Sequence, residues 1–408
     1  MRILWLKTEL LHPVDKGGKI RTYQMLRHIN RSHDVTYLSL VRPDEPAEAL
    51  ARASEYCRQL IPVKHADAPK FSARFYRDIA FNLSSPLPYA IQKYRSPAMQ
   101  QAIEHELRER HYDAVVCDFL TPGVNFRHDT ATPAVLFQHN VESMIWQRHY
   151  ETARQPLKRA LFHNQWQKML RFERETCRQF DAVVAVSAAD RDQMRDEFGL
   201  RNVYDVPTGV DTEYFRPLGG RTEPAELVFT GSMDWLPNED GICHFAETTL
   251  PLIAEAVPDV KLTVVGRNPT ARLLALAEAD PRITVTGRVE DVRPYIDRAA
   301  AYVVPLRIGG GTRLKIYEAM AMGKPVVSTT VGAEGLPLRD GTDLLLADEP
   351  ETFARAVART LADQSLARQL GERARALVCD RFGWQHAAES FVAICDSVVS
   401  NARKRRAA

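Results

Sequence analysis

The chain reads as an α/β protein of two domains, each built on a parallel sheet, and three observations predict this. Short β-branched runs alternate with longer helical patterns from one end to the other, the signature of β-α-β units. Three runs in the second half end directly in a glycine, which lets the backbone turn sharply and leaves the sheet edge bare. The 408 residues, 45% of them apolar, suffice for two cores of roughly 200 residues each. A proline- and glycine-rich stretch without periodicity, Val206 to Pro224, separates the halves.

The first strand is RILWL. Lys7 and Glu9 interrupt this apolar run before it reaches the length of a secretory h-region, so it is read as a buried strand and not as a signal peptide. DVTYLSL, LIPV, DAVVC, AVLF, DAVVAVS and NVYDV follow as strands, with helices between them such as Gly18 to Ile29. The segment Val141 to Phe180 holds Trp146, Leu161, Trp166, Leu170 and Phe172 among many charges, which suits a long helix or a helix pair packed on one side. The second half repeats the style with ELVFTG, KLTVVG, ITVTG, AYVVP, PVVST and DLLLA. In open parallel sheets ligands sit outside the carboxyl ends of the strands. The expected division is residues 1–205, a linker 206–225, residues 226–380, and a C-terminal helix with a basic tail, 381–408, crossing back to the first domain.

A formal charge of +2, from 54 basic and 52 acidic residues, does not call for nucleic acid, so any cationic site must be local. The six cysteines are scattered without a C-x-x-C pair, which suits a reduced cytoplasmic chain and supplies no zinc spacing. No stretch reaches the roughly 18 apolar residues that a membrane span needs. Only NARKRRAA at the end and the segment Arg154 to Arg178 are locally basic, and these are the candidates for weak peripheral contact with anionic lipid at the inner face of the plasma membrane.

The most informative stretch is IGGGTRLKIYEAMAMGKPVVST, Ile308 to Thr329. Glycines followed by a helix N-terminus make an anion site, because unpaired N–H groups and the helix dipole favour negative charge and bare backbone permits close approach. Thr312 can cap the helix, and Gly323 with Pro325 can end it. Arg313 and Lys315 in the first turn oppose the dipole, a conflict that a bound dianion resolves; a fork and a point charge together could neutralise a diphosphate without a metal. Glu318, a turn and a half on, is suited to accept hydrogen bonds from ribose hydroxyls.

GGGTRLKIYEAMAMGKPVV, VPTGVDTEYF and FTGSMDWLPNEDG resemble the retaining, nucleotide-sugar-dependent glycosyltransferases of the GT-B fold, family four, and within it the exopolysaccharide-associated (PEP-CTERM/EpsH-type) sugar transferases. The resemblance runs from the KGGKIR loop to the last helix. It implies two facing Rossmann-like doubly wound parallel-sheet domains with a cleft between them, an acceptor site in the first, and a UDP- or GDP-linked sugar donor held by the second, with no further cofactor. The acceptor would be a carbohydrate, a lipid-linked sugar or a small molecule. Glu318 matches the second glutamate of the family's pair; the first falls on Gly310, a departure. The usual Arg and Lys after the first strand of the second domain are also replaced, since Gly231, Ser232 and Asn238 stand there, and their task is expected to pass to Arg313 and Lys315.

The donor would further meet Gly17 and Gly18 after the first strand, and Gly310, Gly311, Thr312 and Leu314 around the diphosphate. Gly266, Arg267, Gly287, Arg288 and Val289 match loops that surround the nucleobase. His139 in FQHNVES matches a histidine facing the donor, Asp118 in VVCDF could orient it or the acceptor hydroxyl, and Glu142 is an acceptor-side candidate. The string Asp190 to Asp192 superficially matches a metal-binding D-x-D, but it opens a helix, where acids suit the dipole. Two other classes compete with this reading: a nucleotide-sugar epimerase of the same fold, and a non-catalytic sugar-binding protein. A dinucleotide oxidoreductase is disfavoured, because neither half carries G-x-G-x-x-G between its first strand and helix.

Overall fold

The structure, a computed structural model, describes residues 1–14, 17–69, 71–153, 155–308 and 314–407. The chain forms two compact units, Met1–Pro207 with Ala387–Ala408, and Thr208–His386.

Among the described residues the first unit holds seven parallel strands: β1 (Arg2–Lys7), β2 (Asp34–Val41), β3 (Gln59–Lys64), β4 (Ala114–Asp118), β5 (Ala134–Phe137), β6 (Ala182–Ala185) and β7 (Val203–Asp205), in the order β3-β2-β1-β4-β5-β6-β7. All seven apolar runs read from the first half are strands. Flanked on both faces by helices, such strands are buried on both sides, which is why they appear as continuous apolar runs. From β1 the chain winds outward to β2 and β3, then returns to place β4 on the other flank of β1, with Trp5 in register between Tyr37 and Val116. That reversal of winding opens a crevice at the carboxyl ends of β1 and β4. The helix Trp384–Ala407 contributes Phe391, packed against Trp5 and Phe137 with ring centroids 5.6 and 4.9 Å away.

Among the described residues the second unit repeats the pattern with six parallel strands: β8 (Glu223–Thr230), β9 (Lys261–Val265), β10 (Ile283–Gly287), β11 (Ala299–Val304), β12 (Val326–Ser328) and β13 (Leu345–Leu346), ordered β10-β9-β8-β11-β12-β13. Its winding reverses between β8 and β11. Both units are therefore Rossmann-like doubly wound sheets.

The segment after Val206 is less free than its composition suggests. Val210 exchanges backbone hydrogen bonds with Phe382 and Trp384, and the carboxylate of Asp297 accepts from the backbone N–H groups of Leu218 and Gly220, so residues 208–222 are fastened to the second unit. Val141–Phe180 resolves into a helix pair, Glu142–Thr152 and Pro156–Cys177. Among the described residues no helix is long and apolar enough to cross a membrane.

Candidate active site

In the first unit the site is assembled where β1 and β4 end. Lys7 closes β1 and Asp118 closes β4, and both side chains are buried. The Nζ of Lys7 stands 3.0 Å from Asp118 Oδ2 and donates to Thr22 Oγ1 at 2.8 Å; Thr22 Oγ1 in turn donates to the same carboxylate oxygen at 2.7 Å, and Trp5 Nε1 at 2.9 Å. The other oxygen, Oδ1, lies 2.8 Å from His139 Nε2, without the alignment of a hydrogen bond. His139 Nδ1 is buried with no hydrogen-bond partner among the described residues.

An aromatic clamp holds this arrangement. The ring of Phe119 stacks on the imidazole of His139 with centroids 3.9 Å apart, and Lys7 Nζ sits 4.3 Å from the centre of the same ring. Phe119 adopts a left-handed backbone, φ +72°, unusual for a residue with a side chain. Gly18 is required by this clamp, since a Cβ there would lie 2.6 Å from Phe119 Cζ, whereas a Cβ at Gly17 would meet nothing within 4 Å. Both glycines open the helix Gly17–Ile29 directly after β1.

The electrostatics follow from burial. Burial opposes the charged form of Asp118, but Lys7, His139 and the Thr22 hydrogen bond outweigh it and hold the carboxyl well below the usual range. Burial lowers His139 to about 3, prevailing over the attraction of Asp118, so the imidazole is neutral near pH 7. Burial also lowers Lys7, with Asp118 pulling the other way. The cluster is an ion pair beside a neutral imidazole.

Glu173, on the helix Pro156–Cys177, is buried and accepts the backbone N–H groups of Glu142 and Ser143, each at 2.8 Å, and Gln138 Nε2 at 3.0 Å. It caps the helix that starts three residues after His139. Burial raises its carboxyl to about 7. Glu142 stands at that helix start, half-buried, with its carboxyl also raised by burial. Asp190 accepts from the cap Ser187, and Asp192 pairs with Arg191 at 2.8 Å; they are helix-start acids, as their position implies.

The second unit builds a site in the same topological place. Lys315, in the first turn of the helix Leu314–Ala321, donates to Asn238 Oδ1 at 2.7 Å and lies 4.2 Å from the centre of the Phe229 ring. It reaches the loop that follows β8. A Cβ on Gly231 would lie 2.9 Å from Lys315 Nζ and 2.6 Å from Asn238 Nδ2, and a Cβ on Gly266 would lie 1.6 Å from the carbonyl oxygen of Gly231. Gly266 is therefore obligatory, because that oxygen belongs to the backbone, whereas a side chain at Gly231 would displace the ends of Lys315 and Asn238. Asn238 Nδ2 donates to the carbonyl of Ser232, and Arg267 Nε donates to Ser232 Oγ at 2.8 Å, which ties the β8 and β9 loops together. The β10 end joins through Gly266 N–H to Gly287 O at 3.2 Å; beyond it Arg288 is exposed and Val289 half-buried.

Glu318 follows Lys315 by three residues. Burial raises its carboxyl to about 7, with Lys315 opposing, and no side-chain hydrogen bond or ion pair engages it among the described residues. The helix ends as its composition implies: Gly323 takes a left-handed φ of +70°, its N–H returns to Met320 O, and Lys324 N–H returns to Ala319 O. Gly310, Gly311, Thr312 and Arg313 lie outside the described residues. The structure thus brings Asp118, His139 and Gly18 together in one unit, and Lys315, Asn238, Ser232, Gly231, Gly266 and Arg267 in the other. Lys7, Thr22, Phe119 and Glu173 are additions that sequence reasoning missed; the available signal for Lys7 was a lysine closing an otherwise apolar strand.

Two family descriptions match the chain: "Glycosyltransferase Family 4" over residues 16–214 and "Glycosyl transferases group 1" over residues 224–363. Relatives include an MMP alpha-(1->4)-mannosyltransferase of Mycolicibacterium hassiacum, 27% identical over 248 residues and 58% of each chain. A D-inositol 3-phosphate glycosyltransferase of Streptomyces griseus is 34% identical over 265 residues and 55% of each chain. The chain thus spans little more than half the length of these two. A 44.6 kDa protein in the cps region of Klebsiella pneumoniae is 19% identical over 87% of this chain and 90% of its own. In fold, the chain is similar to sucrose-phosphate synthase from Thermosynechococcus elongatus (TM-score 0.67, 18% identity, 98% and 100% of the two chains). It is also similar to Anabaena HepE in complex with UDP (TM-score 0.65, 14% identity, 97% and 100%).

Proposed function

Because this chain belongs to the family-four, group-1 glycosyltransferases of the GT-B fold, we propose that it transfers a glycosyl group from a UDP- or GDP-linked sugar to an acceptor hydroxyl, with retention at the anomeric carbon. The observation that carries this reading is the meeting of Lys315 Nζ with the Gly231 and Asn238 loop. It puts a half-buried cation against bare backbone at the carboxyl ends of β8 and β11, where a diphosphate would be received.

As the glycosidic bond to phosphate breaks, positive charge grows on the sugar ring and negative charge on the departing oxygen. A preorganised cation acts where that charge develops, which is commonly the largest catalytic term. Lys315 takes this role in our reading, joined by Arg313, in place of the family's usual pair after β8. Glu318, without a side-chain partner among the described residues, receives the ribose hydroxyls. In the first unit neutral His139, steadied by Asp118, is assigned to the transferred sugar, its free Nδ1 accepting from a hydroxyl. No separate base is assigned, because the leaving phosphate can take the acceptor's proton on the same face. The match to a cps-region protein over 87% of this chain and 90% of its own supports a place in polysaccharide or glycoconjugate synthesis, and the six free cysteines suit a reducing, cytoplasmic setting.

The test is nucleotide release from a panel of UDP-, GDP- and ADP-sugars with mono- and oligosaccharide acceptors, the product's anomer being read by NMR. Acceptor-dependent release and an unchanged anomer are expected. Inversion would remove the retaining mechanism, and conversion of the sugar without nucleotide release or acceptor would point to an epimerase.

A further inference from the structure

The helix Ala73–Asn82 is anomalous for a soluble surface. Asn82 is its one fully buried residue, although the segment contains Phe75, Tyr76, Ile79 and Phe81. Phe75 turns inward and meets Tyr89 edge-on at 5.6 Å, which accounts for the inner face. The outer face does the reverse of what water favours: Phe71 is 77% exposed, Phe81 71%, Tyr76 58% and Leu83 51%. Four large exposed apolar side chains between Phe71 and Leu83 mark a segment that is covered in use. Phe71 adds a second sign, since it holds a left-handed backbone, φ +66°, with its ring still left in solvent.

Charge identifies what covers it. Residues 64–95 contain six Lys and Arg against two Asp, and residues 142–177 contain seven against four Glu, in a chain whose total is only +2. The two segments are joined: Lys168 Nζ donates to the carbonyls of Asn82 and Leu83 at 2.6 and 3.0 Å, and Gln165 Nε2 donates to Asn82 Oδ1 at 2.9 Å. On the helix itself Arg74 and Arg77 are both exposed and share a single acid, Asp78. Exposed aromatic rings interleaved in sequence with exposed arginines from Phe71 to Phe81 match the boundary of an anionic bilayer, where rings enter the acyl edge and guanidinium groups meet phosphates. The C-terminal tail is the weaker candidate, because Arg403 and Arg405 already pair with Asp113 and Asp181.

We propose that Phe71, Tyr76, Phe81 and Leu83, flanked by Arg74 and Arg77, form a docking face for an anionic lipid bilayer. The contact is peripheral and reversible, since one short helix buries little apolar area in the interface.

Flotation of the full chain with phosphatidylcholine vesicles, with and without about 30% phosphatidylglycerol, tests this at low salt. The chain is expected to float with the anionic vesicles only, and about tenfold less for F71S/Y76S/F81S and for R74E/R77E, each with an unchanged melting profile. K404S/R405S is expected to float like the parent, and Phe81→Trp to blue-shift its emission with anionic vesicles alone. Failure of the parent chain to float at low salt would overturn the proposal, whether or not the sugar transfer is found. So would undiminished flotation of the aromatic variant, equal flotation with neutral vesicles, or loss on changing the tail alone.

Discussion

Lys7 and Asp118 form an ion pair at 3.0 Å with both side chains buried, at the adjoining ends of β1 and β4. Buried charges contribute little net stability as a pair, but removing one partner strands the other. Lys7→Met leaves a carboxylate in a dry site, and an expected loss of about 3–5 kcal/mol follows. The double variant K7M/D118N is expected to lose less than the two single changes added together, because no charge is then stranded. Urea midpoints of the four proteins check this; simple additivity would mean that the two residues act independently.

His139 makes the first unit sensitive to acid. Its folded pKa, about 3, lies below the ordinary value of 6.5, so between these values the unfolded chain binds a proton that the folded one does not. Stability is therefore present above pH 6.5 and lost as pH falls, and Asp118, held low, adds to the loss in the same direction below the ordinary carboxylate range. The His139 contribution approaches about 1.4 kcal/mol per pH unit. In His139→Gln the dependence of the urea midpoint between pH 6.5 and about 4.5 is expected to flatten. An unchanged dependence would mean that other groups produce it.

Gly266 has no room for a side chain, because its Cβ would lie 1.6 Å from a backbone oxygen that cannot rotate away. Gly266→Ala is expected to cost about 1–3 kcal/mol and to weaken nucleotide binding by displacing the Gly231 loop. Gly17→Ala, where nothing lies within 4 Å, is the control and should retain parental stability. Thermal melts with and without nucleotide check both.

Glu318 should make nucleotide binding depend on pH. Burial lifts its carboxyl to about 7, and only the ionised form accepts from both ribose hydroxyls. Affinity for a nucleoside diphosphate is expected to rise about tenfold from pH 6 to pH 8, and Glu318→Gln is expected to bind weakly with that rise removed. Calorimetry at both pH values checks it. The same raised pKa means that ionising this group costs the free protein stability as pH climbs through 7, a cost that bound nucleotide should relieve.

The inner strands were legible because a parallel sheet covered on both faces requires apolar runs, as β1, β4, β5, β6 and β11 show; the edge strands β3, β7 and β10 are less buried, and β7 and β10 carry polar residues among their apolar ones. Asp118 and His139 were legible for the complementary reason, as polar groups just past apolar runs. Lys7 sits in the same kind of position, yet in sequence it only interrupts a leader-like run; nothing local says that its partner is Asp118, 111 residues away. Glu173 was hidden likewise, since the N–H groups it caps lie 30 and 31 positions earlier. The left-handed Phe119 has no signature in sequence, because the residue type argues against that backbone and only the surrounding clamp imposes it. Composition marked residues 206–225 as a linker, whereas Val210, Leu218 and Gly220 within it donate backbone hydrogen bonds to Phe382 and Asp297 of the second unit.

The central claim is that Lys315 meets the diphosphate of a nucleotide-linked sugar, and calorimetric titration of Lys315→Met against the parent with UDP, GDP and the corresponding nucleosides tests it most directly. Loss of one charge-assisted contact should weaken the preferred diphosphate by about tenfold or more and leave the nucleoside affinity within about twofold. Equal affinity of both proteins for the diphosphates, or an equal loss for diphosphate and nucleoside, would contradict the assignment.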